Sequence, residues 1–225
     1  MSVVPEIRQG RHNYKNIVES FENQDKPAIS IMSALKRFIT RLRRAGSGRG
    51  FGIQSPTDYR FVCGVVNERW QYYAYNDLRN ELPGLTARDR HKAELAFRVA
   101  NHIQPAATIS IGLPEWWTAY ATRGCRKSMI CNGCRQLKEA ANGKKVLAMI
   151  RCGETDDNDT AAIMEYMAHD GTCLIADGIN SSDSARRQWE KIANDERSTL
   201  VFDLYDIGIV IADTKRSKTT YKVNY

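Results

Sequence analysis

Hydrophobic positions along this chain change rhythm near residue 105. Before that point apolar residues recur every three or four positions, as on one face of a helix; after it they gather into short runs rich in β-branched residues. In the first half, Leu35, Phe38, Ile39 and Leu42 follow Ser33, a residue suited to cap a helix. A second helical pattern offers Tyr59, Phe61, Val62, Val65 and Val66 as core positions. A third covers 86–103, with Leu95, Phe97, Val99, Ala100 and Ile103 on its apolar side, and Pro105 stops it.

The second half contains TISIG (108–112), SMICN (128–132), KVLAMI (145–150), TCLIAD (172–177), TLVFDL (199–204) and IGIVIAD (207–213), with YKVNY at the end. Helical stretches separate the first five runs, and that alternation predicts a mostly parallel sheet covered by helices. Only Tyr205 and Asp206 separate the last two of the six. A parallel crossover needs about a dozen residues, so this pair is expected to be an antiparallel hairpin. The predicted class is α/β, Rossmann-like, with an N-terminal helical cap. The chain divides into three regions: an extension over 1–31, flexible or a mis-called start ahead of Met32; a cap with a basic leading helix over 32–106; and an α/β domain over 107–225.

Composition changes this picture little. Of 225 residues, 42% are hydrophobic and 26% charged, ordinary for a chain with a real core. No apolar run approaches the ~20 residues that span a bilayer and the first residues lack an apolar signal-like stretch, so the expectation is no transmembrane segment and a cytoplasmic location. Charge adds more. The net charge is +7, yet the first fifty residues hold ten Lys/Arg against four Asp/Glu, so nearly all the excess sits there. The near-neutral remainder argues against a nucleic-acid groove on the main domain. Lys36, Arg37, Arg41, Arg43 and Arg44 surround the apolar stripe of the leading helix, which either touches an anionic membrane surface or RNA, or packs on its own domain.

Beside these patterns stands a resemblance. GRGFGIQSPTDYRFV followed by QYYAYNDLR resembles the helical cap of bacterial O-methyltransferase-like proteins, with Gln54 where a histidine is usual. IADGIN, then SARRQWEKIANDERSTLVFDLYDIGIVIAD, resembles the fifth strand, following helix and terminal hairpin of class I S-adenosylmethionine-dependent methyltransferases. The resemblance covers roughly 35–225. It implies S-adenosylmethionine as cofactor, a small hydroxyl or amine substrate as methyl acceptor, a cofactor cleft lined by Gly112, Asn132 and Gly133, and Asp177 as the retained acidic residue of catalysis.

Where the chain departs from that family, the losses fall on the cofactor. Gly112 stands alone where a glycine-rich turn is expected, and Glu115 just after it would oppose the cofactor's carboxylate. Asn132 replaces the carboxylate that takes both ribose hydroxyls; an amide cannot act as a doubly accepting anion. Between Gly133 and Val146 there is too little chain for helix, strand and helix, so the family's third strand is expected to be missing. Arg151 falls at the end of the fourth strand, where metal-dependent members carry an acid, and it is expected to face Asp177 as a salt bridge. Two function classes remain: a methyltransferase with a degenerate cofactor site, or a non-catalytic relative acting as a binding or interaction module.

Smaller constellations leave alternatives open. Cys131 and Cys134 form a C-x-x-C that Cys125 and Cys152 would complete as a four-thiolate zinc site; apolar neighbours and the absence of a following His favour buried free thiols. A redox pair would need a thioredoxin-like context. Trp116, Trp117 and Tyr120 are either a stacking platform or core, and Tyr72, Tyr73 and Tyr75 either cover a substrate pocket or pack between helices.

Overall fold

The structure, a computed structural model, describes residues 52–225. The basic leading helix with Arg37, Arg41, Arg43 and Arg44, and the extension before it, lie outside the described residues. Ahead of Pro105 come α1 (Pro56–Phe61), which widens into a π-helical stretch over Val62–Val66, then α2 (Tyr73–Glu81) and α3 (Ala87–Ile103). After it come β1 (Ala107–Ile111), α4 (Glu115–Gly124), β2 (Met129–Cys131), α5 (Cys134–Ala141) and β3 (Val146–Arg151). The chain continues through α6 (Asp157–Tyr166), β4 (Cys173–Asp177), α7 (Asp183–Asn194), β5 (Leu200–Asp203), β6 (Ile207–Ile211) and β7 (Thr219–Lys222). Ser55, Thr86, Asp156 and Ser182 start α1, α3, α6 and α7, each side chain accepting a backbone N–H three residues on. Such caps stabilise a helix by about 1 kcal/mol each.

The strands form one sheet in the order β2-β1-β3-β4-β6-β5-β7. β1 is parallel to β2 and β3, β3 to β4, and β5 to β7, while β6 pairs antiparallel with both β4 and β5. Only β6 therefore runs against the rest, and the two-residue link at Tyr205 and Asp206 makes the expected hairpin. α5, α6 and α7 cover one face through Leu137, Ile163, Trp189 and Ile192. The other face packs Leu147, Met149, Ile175 and Phe202 against α1, α3 and α4, including Leu95, Val99 and Trp117. This is a three-layer α/β arrangement.

The reversal of connection sense lies at β1. The link from β1 to β2 passes over one face through α4, and the link from β2 back past β1 to β3 passes over the other through α5. In open α/β sheets the crevice outside the carboxyl ends of the strands at such a reversal is where ligands bind.

One expected core residue is outside. Phe61, Val62, Val65 and Val66 are buried, but Tyr59 is 46% exposed. The inward slot beside it belongs to Asp58, which is fully buried. Its carboxylate accepts from Arg216 Nη1 and Nη2, both at 2.6 Å, and from the Tyr221 hydroxyl at 2.9 Å. Three charge-assisted bonds compensate the desolvated carboxylate, which a reading by hydrophobicity cannot anticipate.

The Asp58 site sets a pH dependence. Burial alone would push its carboxyl up, but hydrogen bonds from Arg216 and Tyr221, with the Arg216 charge, hold it below the usual carboxylate range. As pH falls the unfolded chain then takes up the proton first. The contribution is complete above about pH 4 and is lost as pH falls through the lowered value. Asp58→Asn is expected to lower the thermal midpoint at neutral pH and to flatten its acid limb. Thermal scans across pH check this, and an acid limb that superposes on the unmodified protein's would sink it.

Candidate functional site

Gly112 ends β1 with a φ of +66°, a conformation that favours glycine. A Cβ there would lie 3.2 Å from Arg151 Cβ, 3.5 Å from Thr155 Oγ1 and 3.8 Å from Glu154 Cβ. The loop after β1 thus packs closely beside the loop after β3. Trp116 and Trp117 stand in the first turn of α4, which follows this loop. They stack on each other at 5.1 Å, and Trp117 is fully buried in the core under α3.

Arg151 and Asp177 are register partners across β3 and β4. The expected salt bridge is present, Arg151 Nη1 to Asp177 Oδ2 at 2.6 Å. A second cation completes it: Lys92 Nζ, from α3, lies 2.5 Å from Asp177 Oδ1. Asp177 is 1% exposed and Lys92 8%. Both carboxylate oxygens are therefore held, one from β3 and one from α3. Lys92 escapes sequence reasoning because, 85 residues away on a helix rich in charge, it reads as surface; its one signal is its place one turn before the buried Leu95 and Ala96.

The other two expected cofactor residues lie elsewhere. Asn132 follows β2 and is exposed. Gly133 caps α5 with an extended backbone, and a Cβ on it would meet nothing within 4 Å, so neither conformation nor space requires glycine there. The four residues thus split in two: Gly112 joins Asp177 through Arg151, and Asn132 and Gly133 stand at the sheet edge.

At that edge a cleft of about 560 Å³ opens between α2, α4 and β2, lined by Ser110, Glu115, Thr118, Arg123, Ile130 and Asn132. Arg123 is tied to Glu81 at 2.5 Å. Ser110 Oγ is buried without a hydrogen-bond partner among the described residues. Neither Gly112 nor Asp177 lines this space.

The thiols do not converge. Among the described residues no group of three or more His, Cys, Asp or Glu is placed to hold a metal. Cys125 lies near Pro105 O, and Cys134 points at Asp159 Oδ1 at 3.5 Å. The C-x-x-C does join a strand to a helix start, a placement that its sequence neighbours do not suggest. Its surroundings work against a thiolate: burial first, then Asp159 and Asp156, push the Cys134 thiol up to about 11. Burial and Asp177 push Cys152 up to about 12.

Tyr72, Tyr73 and Tyr75, at the start of α2, divide. Tyr73 is 98% exposed, whereas Tyr75 is buried and packs with Tyr72 and Phe97 at centroid distances of 5.1 to 5.3 Å. Among the described residues no helix is long and apolar enough to cross a membrane. No protein-family model matches the chain, and no curated protein matches it.

Proposed function

We propose that this chain is a methyltransferase-like α/β protein whose cofactor crevice has closed, and that it acts by binding rather than by methyl transfer. The family likeness draws support from a sheet reversed only in its terminal hairpin and from the single helix α5 between β2 and β3, where the family has a further strand. The observation that carries the loss of catalysis is the clamp on Asp177, each of whose oxygens is held by a cation, Lys92 or Arg151, while the loop after β3 packs close beside Gly112. A general base or metal ligand needs a lone pair that substrate or metal can reach. Asp177 is 1% exposed beneath its two cations, and neither oxygen presents itself to solvent.

One observation favours the alternative. The cleft beside Asn132 is open, and a ribose hydroxyl could still meet that amide. Calorimetric titration of S-adenosylmethionine and of S-adenosylhomocysteine separates the two readings. No heat at millimolar ligand is expected; binding in the micromolar range would overturn the proposal, restore the methyltransferase and assign the open cleft as its cofactor site.

A further inference from the structure

Only two asparagines in the chain precede a glycine, Asn132 and Asn142. The pairing matters chemically, because glycine has no Cβ to shield its backbone nitrogen from the carboxamide of the residue before it. Asparagine is a thermolabile side chain, and attack by that nitrogen is the route of its loss. Whether a given pair reacts depends on what holds it, and here the two differ.

Asn132 links β2 to α5 and is exposed. Among the described residues its carboxamide makes no hydrogen bond, and neither does the Gly133 N–H. Gly133 has an extended backbone with φ −173°, and a Cβ on it would meet nothing within 4 Å, so no neighbour crowds the link. The bonds on either side, Asn132 N–H to Gln136 Oε1 at 2.9 Å and Leu137 N–H to Gly133 O at 3.1 Å, leave the linking N–H free. Asn142 is placed otherwise. It stands in the left-handed region with φ +38°, in the turn that ends α5, and Lys144 N–H donates to Ala141 O across it at 2.7 Å. Rotating Asn142 toward its neighbour breaks that bond.

We propose that Asn132 is a site of spontaneous deamidation that recharges the open cleft at the β2 edge. Gly133 N attacks Asn132 Cγ; the N–Cγ bond forms, the Cγ–Nδ2 bond breaks, and ammonia leaves carrying the proton lost from Gly133 N. Water, the one co-reactant, then opens the cyclic imide at either carbonyl to give aspartate or isoaspartate. Asn132 lines the cleft, so the product adds a negative charge there. Glu115, which also lines it, has no partner among the described residues, while Arg123 is already engaged by Glu81 and, at 4.0 Å, by Asp77. The new carboxylate is therefore left unneutralised and turns the cleft toward cationic and hydroxyl-bearing ligands. It also lies just before α5, where the helix dipole favours a negative charge, so the fold accommodates the product. The step draws on this dipeptide and its loop alone and is independent of the methyltransferase reading.

The test incubates the full folded chain at mildly alkaline and at mildly acidic pH, with a urea-unfolded sample in parallel, and follows both asparagines by peptide mapping in the mass spectrometer. Conversion at Asn132 to a mixture of aspartate and isoaspartate is expected in the folded chain, faster at alkaline pH because the attacking nitrogen must lose its proton, with Asn142 lagging behind. Gly133→Ala, which the extended backbone and open space allow to fold, is expected to slow conversion severalfold by placing a methyl group beside the nucleophile. Three results would each overturn the site: Asn132 intact in the folded chain while the unfolded chain converts, Asn142 reacting ahead of Asn132, or an unchanged rate in Gly133→Ala.

Discussion

Replacing Asp177 with alanine is expected to cost about 3–5 kcal/mol of folding free energy, because it leaves two cations at the sheet–cap junction with no counter-charge. Burial sets the size of the effect. Asp177 is 1% exposed, and the Lys92 side chain is 10% exposed. Water replaces the lost partner poorly at Lys92 and better at Arg151, whose side chain is 25% exposed, so the cost falls toward the lower end of that range; at a surface pair the same deletion costs about 0–1 kcal/mol. Lys92→Met is expected to cost less, since Arg151 still holds Asp177 at 2.6 Å. Apolar replacement of all three groups is expected to return near the starting stability, because it removes the desolvation cost together with the attraction. Urea unfolding at constant m value measures each variant. Should Asp177→Ala unfold at the same midpoint as the unmodified protein, the clamp is not structural, and a free carboxylate for catalysis returns to consideration.

That clamp also marks how far the sequence could be read. The five short apolar runs from 108 to 204 each became a strand, and the two-residue link became a hairpin, because both rest on local rules of periodicity and reach. The Arg151–Asp177 pair was legible for the same reason: each residue closes its run, and adjacent parallel strands bring closing residues into register. Lys92 was not legible, since nothing local tells a lysine on α3 that its ammonium will find a buried carboxylate 85 residues later. Asp58 failed similarly, its inward place depending on Arg216 and Tyr221 at the other end of the chain.

The candidate site was read less well than the fold. That Gly112 stands without other glycines could be seen, but not that the loop after β3 packs beside it. The open cleft lies instead at the edge of β2, where only α5 links that strand to β3. Which segment packs beside a given turn depends on contacts between parts far apart in the chain, and periodicity does not record those.

Gly124 carries the second large effect, and there two principles compete in sign. It is the last residue of α4, where glycine to alanine would ordinarily stabilise a helix by about 1 kcal/mol. A Cβ at this position, however, would lie 2.3 Å from Phe97 O and 3.1 Å from Ala100 Cβ on α3. The obstructing atom is a backbone carbonyl, which cannot swing aside, so the two helices must part. At Gly208 the Trp189 ring stands equally close, but a side chain has rotamers to try. Overpacking costs about 1–3 kcal/mol and occasionally more, and a rigid obstacle belongs at the upper end. Gly124→Ala is therefore expected to be destabilised by about 2 kcal/mol or more after the propensity gain, with the cap loosened from the sheet. Gly133→Ser, where extended backbone and open space meet a helix start, serves as the control and is expected to be neutral or slightly stabilising. Urea midpoints of the two variants decide it: an alanine at 124 that raises stability would mean that α3 and α4 do not meet backbone to backbone, and the packing of the cap would have to be redrawn.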